Sequence, residues 1–147
     1  MIYTDLTRKA IVYAYNAHQG QLDRGGIPYI FHPYHLAEQM TDELTACAAL
    51  LHDVIEDTST TADDLRKEGF PEEVIEAVTL LTHDEDLGYM DYVARLSKNK
   101  IAKTVKLADL AHNSDLTRTP ANSEPAEKTA ERMKKYAAAR EFLINSD

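Results

Sequence analysis

Ala48-Ala49-Leu50-Leu51-His52-Asp53-Val54-Ile55-Glu56-Asp57-Thr58 is the stretch that decides how this chain is read, because an apolar run passes directly into four ionisable side chains. At about 100° per residue, Leu44, Cys47, Ala48, Leu50, Leu51, Val54 and Ile55 share one wide apolar arc. His52, Asp53, Glu56 and Asp57 occupy the other arc, together with Ala46 and Ala49. A solvated face would carry long charged side chains at 46 and 49, so two alanines there predict that another element packs close on the acidic side. The carboxylates are then partly buried and need a counter-charge or a metal. His52 and Asp53 are suitable ligand types for a divalent ion, and Glu56 and Asp57 follow one turn later, at i+4 from each. The pattern is a ligand pair with an acid/base pair above it.

Working outward, Leu6 to about His18 reads as a first helix, capped by Thr4 or Asp5 and ending near Gly20. Gln19 to Phe31 is rich in turn formers and reads as a functional loop, in which Gly25-Gly26 permits backbone angles or close approaches that other residues resist. His32-Pro33 opens a second helix running through Leu36, Ala37 and Met40. The central helix is predicted from about Asp42 to Asp57. A capping box of Thr61 and Asp64 starts a short helix that stops at Gly69. Further helices are predicted from Pro71 to about Thr82, Tyr89 to Leu96, Lys100 to about Asp115 and Ala126 to Leu143, with a surface loop at Thr117 to Pro125. The expected class is all-α, a bundle of about seven to eight helices.

The 147 residues are most simply one domain, 1–147, long enough to bury a core without staples. A net charge of −9 argues against long nucleic acid or an anionic membrane as partner, while leaving room for a small anion held by a few local cations. The lone Cys47 lies on the apolar arc and is expected to be a buried thiol. With no charged leader and no run of membrane-spanning length, it points to a cytoplasmic protein. Oligomeric state is open.

The blocks Ala17-His18-Gln19-Gly20-Gln21, Pro28-Tyr29-Ile30-Phe31-His32-Pro33, Ala49 to Thr58 and Lys106-Leu107-Ala108-Asp109-Leu110-Ala111-His112-Asn113 stand in that order. In these blocks the chain resembles the His-Asp ("HD") superfamily of metal-dependent phosphohydrolases, and within it the RelA/SpoT-type hydrolase domain in its small, hydrolase-only form. The resemblance implies that His32, His52, Asp53 and Asp109 ligate one Mn²⁺ or another divalent metal. Two neutral imidazoles and two carboxylates would balance the ion's charge and leave it Lewis-acidic. It implies further that Glu56 and Asp57 orient or deprotonate the attacking water. Asn113 matches the family's Asn four residues after the last ligand. The implied reaction is removal of the 3′-pyrophosphate of guanosine tetraphosphate or pentaphosphate. Where the family places a base-stacking Arg this chain has Asp23, leaving Arg24 as the adjacent cation, and the family's Arg-Thr after the Asn is replaced by Ser114-Asp115-Leu116-Thr117-Arg118. Arg24, Lys106 and Asn113 are the expected substrate contacts, with neutralising a carboxylate the alternative for Lys106 and hydrogen-bonding a metal ligand the alternative for Asn113, and base discrimination is expected to be weakened.

Two other functions compete: an HD phosphohydrolase acting on a different small nucleotide or phosphorylated dinucleotide, and a non-catalytic metal-containing sensor or partner-binding module. The second acidic pair speaks against the latter, since a structural site has no use for it. His18, His35 and His112 read first as core or supporting histidines, His83 has no assigned role, and Tyr29 reads as packing.

Overall fold

The computed structural model describes residues 1–147 and is all-helical, its only strand-like feature being one Leu22–Pro28 bridge. Nine α-helices follow one another: α1 (Asp5–Ala17), α2 (Phe31–Glu38), α3 (Glu43–Leu51), α4 (Val54–Asp57), α5 (Ala62–Lys67), α6 (Glu72–Leu81), α7 (Tyr89–Leu96), α8 (Lys100–Asn113) and α9 (Ala126–Asn145). No helix is long and apolar enough to cross a membrane.

Local chemistry explains most boundaries. Thr4 and Thr61 each close a capping box, with Thr7 and Asp64, which satisfies backbone N–H groups that the first turn leaves without partners. Gly69, at φ +87°, turns the chain out of α5, a conformation that side-chain-bearing residues resist. Asp42 caps α3 by accepting from the Thr45 N–H at 2.9 Å and its hydroxyl at 2.8 Å.

The architecture is arranged about α3. Every residue from Thr45 to Leu51 is buried, and α1, α2, α6 and α8 pack around it. Ala46 and Ala49 are both fully buried, as their presence on the acidic arc predicts. Cys47 is also buried, and that burial pushes its thiol up to about 12. Leu50 is fully enclosed, so Leu50→Ala is expected to cost about 2–5 kcal/mol of unfolding free energy in a urea titration, from lost transfer energy and the cavity left behind.

The predicted central helix is not continuous. In an unbroken helix the Ala49 carbonyl would accept the Asp53 N–H; here the His52 imidazole takes that carbonyl instead, Nδ1 to O 2.7 Å. Asp53 leaves helical geometry at φ −107°, ψ 2°, and α4 resumes at Val54. The break turns the predicted eight helices into nine. It also presents the His52 ring edge and the Asp53 carboxylate together at the end of α3. Smaller differences lie elsewhere: α8 stops at Asn113, and a 3₁₀ turn (Leu116–Arg118) occupies the start of the predicted loop.

Candidate metal centre and polar cleft

α2, the α3–α4 junction and α8 bring four predicted ligands together. His32 Nε2 stands 2.9 Å from Asp109 Oδ1, and His52 Nε2 lies 3.0 Å from Asp53 Oδ2 and 3.6 Å from Asp109 Oδ1. His32, His52 and Asp109 are buried, with nitrogen and oxygen atoms within 4.8 Å of one another. The carbonyl of Ala49 can only accept, so His52 Nδ1 carries a proton and Nε2 is the ring nitrogen left facing the cluster. That buried Nε2 has no aligned hydrogen-bond partner despite its carboxylate neighbours. An orphaned imidazole nitrogen facing two carboxylates and a second imidazole is a donor set suited to a divalent cation. In the metal-free protein, burial disfavours a charged His52, but Asp53 and Asp109 together outweigh it and raise its pKa well above the ordinary value. The site draws positive charge to this point.

Supporting contacts hold each group. Asp109 loses solvation by burial, yet its carboxyl is held well below the usual range by Lys106, 2.9 Å from Oδ2, and by His32 and His52. Asn113 Nδ2 donates to Asp109 Oδ1 at 2.9 Å. Tyr29 donates its hydroxyl to Asp53 Oδ2, while its ring lies 4.9 Å from that of His18. His18 in turn meets Gln21 at 2.8 Å, and Gln21 donates to the Asp57 carbonyl at 2.9 Å.

Glu56 and Asp57 stand at the rim, where their carboxylates and that of Asp53 form a second close group. The two differ in surroundings. Glu56 Oε1 accepts the His83 N–H at 2.7 Å, and His83 anchors its own loop through Nε2 to the Leu87 carbonyl at 2.6 Å. Asp57 has no such donor, and its carboxyl is pushed up to about 6 by partial burial and then by the charges of Asp53 and Glu56.

His52, Asp53, Glu56, Asp57 and Asp109 line one cleft of about 500 Å³ together with the cations Arg24, Lys106, Arg118, Arg132 and Lys135 and with Tyr89, Tyr92 and Tyr136. Asp23 is not a free anion there. Its Oδ1 accepts the N–H groups of Gly25 (2.8 Å) and Ile27 (3.0 Å), and Oδ2 lies 3.4 Å from Arg118. Gly25 is required for this arrangement, since a Cβ there would come within 2.2 Å of the Arg118 carbonyl oxygen. Arg24 is 59% exposed and pairs with Glu124 at 2.8 Å, so of the three expected substrate contacts it is the most solvated. Arg118, by contrast, is well packed, donating to the His112 carbonyl and to Asn113 Oδ1.

Sequence reasoning met Arg118 only as a departure from the family pattern and did not reach Arg132, Lys135, Tyr89, Tyr92 or Tyr136. A signal existed for α9, where Arg132, Lys135 and Tyr136 stand at i, i+3 and i+4 on one face. Tyr89 and Tyr92 carry the same i, i+3 spacing on α7.

Comparison with known proteins agrees with the geometry. Residues 10–142 match the family described as HD domain. A GTP pyrophosphokinase of Myxococcus xanthus is 34% identical across 74% of this chain, and the bifunctional (p)ppGpp synthase/hydrolase SpoT of Escherichia coli is 37% identical across 72%. In both cases the match spans only 17% of the relative. A solved structure described as a metazoan ortholog of SpoT that hydrolyzes ppGpp superposes with TM-score 0.80 at 26% identity, covering 100% of this chain and 90% of that one. With four ordered sequence blocks converging on one buried His/Asp cluster and a family match over nearly its whole length, this chain belongs to the HD domain family.

Proposed function

We propose that residues 1–147 act as a single cytoplasmic, Mn²⁺-dependent phosphohydrolase that removes the 3′-pyrophosphate of guanosine tetraphosphate or pentaphosphate. One observation carries the reading: His32, His52 and Asp109 cluster with Asp53 3.0 Å from His52, Glu56 and Asp57 stand beside Asp53, and five cations line the same cleft. The relatives' activities favour this substrate class. The buried thiol of Cys47 fits a reducing compartment.

When bound, the metal would be held by those four residues and would polarise a phosphoryl oxygen as a Lewis acid. The chain's own groups do the rest. Hydrolysis forms a bond from the oxygen of water to the phosphorus on the 3′ oxygen and breaks that phosphorus–oxygen bond. Glu56 and Asp57 take the proton from the water and return one to the departing 3′ oxygen, Glu56 being held in place by the backbone N–H of His83. Lys106 neutralises Asp109, and Asn113 holds the same carboxylate in place. Arg118, Arg132, Lys135 and Arg24 offer charge-assisted hydrogen bonds to the phosphates.

The deciding experiment measures pyrophosphate release by purified protein with Mn²⁺ from guanosine and matched adenosine polyphosphates. Release from the guanosine compounds supports the proposal. No release by folded, metal-loaded protein refutes it, and equal rates on both bases leave a phosphohydrolase of broader range. Arg118→Ala is expected to raise KM about tenfold and Arg24→Ala only a few-fold, each with less effect on kcat, because the more desolvated cation makes the stronger ground-state contact. Steady-state kinetics checks this ordering.

A further inference from the structure

The proposed chemistry leaves His112 without a task, yet its position is specific. His32 and His112 face each other through their Nδ1 atoms at 2.7 Å, with ring centroids 5.0 Å apart and planes only 4° from parallel. Parallel planes with such a short nitrogen–nitrogen distance describe two rings meeting edge to edge, with a single proton shared between them. On its other side His112 lies against His35, ring centroids 4.1 Å apart at 28°, which fixes the plane of its ring.

A histidine that binds a metal through Nε2 must keep its proton on Nδ1, and the group accepting that proton sets both the tautomer and the ring orientation. His32 Nε2 points into the cluster, toward Asp109, so Nδ1 faces outward to His112. We infer that His112 is a positioning residue for metal binding, its Nδ1 accepting the His32 Nδ1–H in the loaded protein so that the His32 Nε2 lone pair stays aimed at the cation. His112 then carries its own proton on Nε2. Because neutral imidazole can exchange donor and acceptor nitrogens, the same contact also serves the metal-free protein, in which His32 Nε2 is free to donate to Asp109.

The inference rests on the metal-binding reading, and the experiment separates the two. Mn²⁺ affinity is measured by calorimetry on chelator-treated wild type, His112→Ala and His112→Asn, with helical content checked by circular dichroism. His112→Ala is expected to bind Mn²⁺ about 10–100-fold more weakly, the usual consequence of losing a ligand's supporting partner. His112→Asn, whose side-chain oxygen occupies nearly the place of Nδ1 and can only accept, is expected to recover most of that loss; a merely space-filling role would not select an acceptor. In wild type loaded with diamagnetic Zn²⁺, nitrogen NMR is expected to show His32 protonated at Nδ1 and His112 at Nε2. Wild type that binds no divalent ion overturns the metal reading and this inference together. A folded His112→Ala with wild-type affinity overturns this inference alone. Should that variant fail to fold, the NMR tautomers decide: an unprotonated His32 Nδ1, or one without a hydrogen bond, overturns it.

Discussion

Replacing His52 by alanine is expected to abolish Mn²⁺ binding and turnover together, the loss in affinity exceeding the roughly hundredfold that removal of a supporting partner costs. His52 is the member of the cluster that faces both carboxylates, and its Nε2 is the buried nitrogen with no aligned partner. Alanine removes a ligand and leaves Asp53 and Asp109 facing each other with less positive charge between them. Lys106 remains on Asp109, so the variant keeps one counter-charge for that buried carboxylate. Calorimetric titration with Mn²⁺ and a pyrophosphate-release assay on the same preparation make the test, with circular dichroism showing that the helices persist. Wild-type affinity in a folded His52→Ala protein would remove the metal centre from the account.

The double variant Glu56→Gln with Asp57→Asn is expected to separate holding the ion from using it. Neither residue is among the four proposed ligands, although both stand beside Asp53, so Mn²⁺ affinity should change only a few-fold while kcat falls about 10²–10⁴-fold, the usual range for general acid–base groups. Stability should move the other way. The Asp57 carboxyl sits at about 6 in the folded, metal-free protein, above its unfolded value, so the folded state holds the proton more tightly. Its contribution to stability is therefore fully present below the unfolded pKa and is lost as pH rises from about 4 through 6. Since Asp57 is exposed and solvent screens it, the amide is expected to stabilise the chelated protein by only about 1 kcal/mol at pH 7.5, and by almost nothing at pH 4. Thermal melts at the two pH values with chelator present read the difference. Near-normal turnover by the double variant would show that other groups handle the protons.

Residues 42–57 show how far sequence carries the fold and where it stops. Helical periodicity and two alanines on the acidic arc predict a helix buried on more than one side, and α3 is enclosed along seven consecutive residues. The break at His52–Asp53 is absent from the periodicity because a side chain makes it: the His52 imidazole competes with a backbone N–H for one carbonyl, and residue spacing does not encode that competition. At the site, the four converging residues were legible because they stand in ordered blocks. Of the cations lining the cleft, Arg24 and Lys106 were legible and the other three were not. Arg118, Arg132 and Lys135 are separated in sequence from the loop they face, and only the docking of α9 and the 3₁₀ turn brings them to one cleft. Asp23 misleads for a related reason: read alone it is a repulsive anion, whereas the fold uses it to tie a loop and neutralise Arg118.

The close approach of His32 and Asp109 joins residues 77 positions apart in the chain. A connection of that span cannot be made while α8 is still unsynthesised or undocked, however early α1, α2 and α3 settle against one another. During translation, then, three of the four cluster side chains precede their buried carboxylate partner. The four-residue cluster is completed when α8 seats Asp109 and Lys106 together and so delivers the last anion with its own counter-ion.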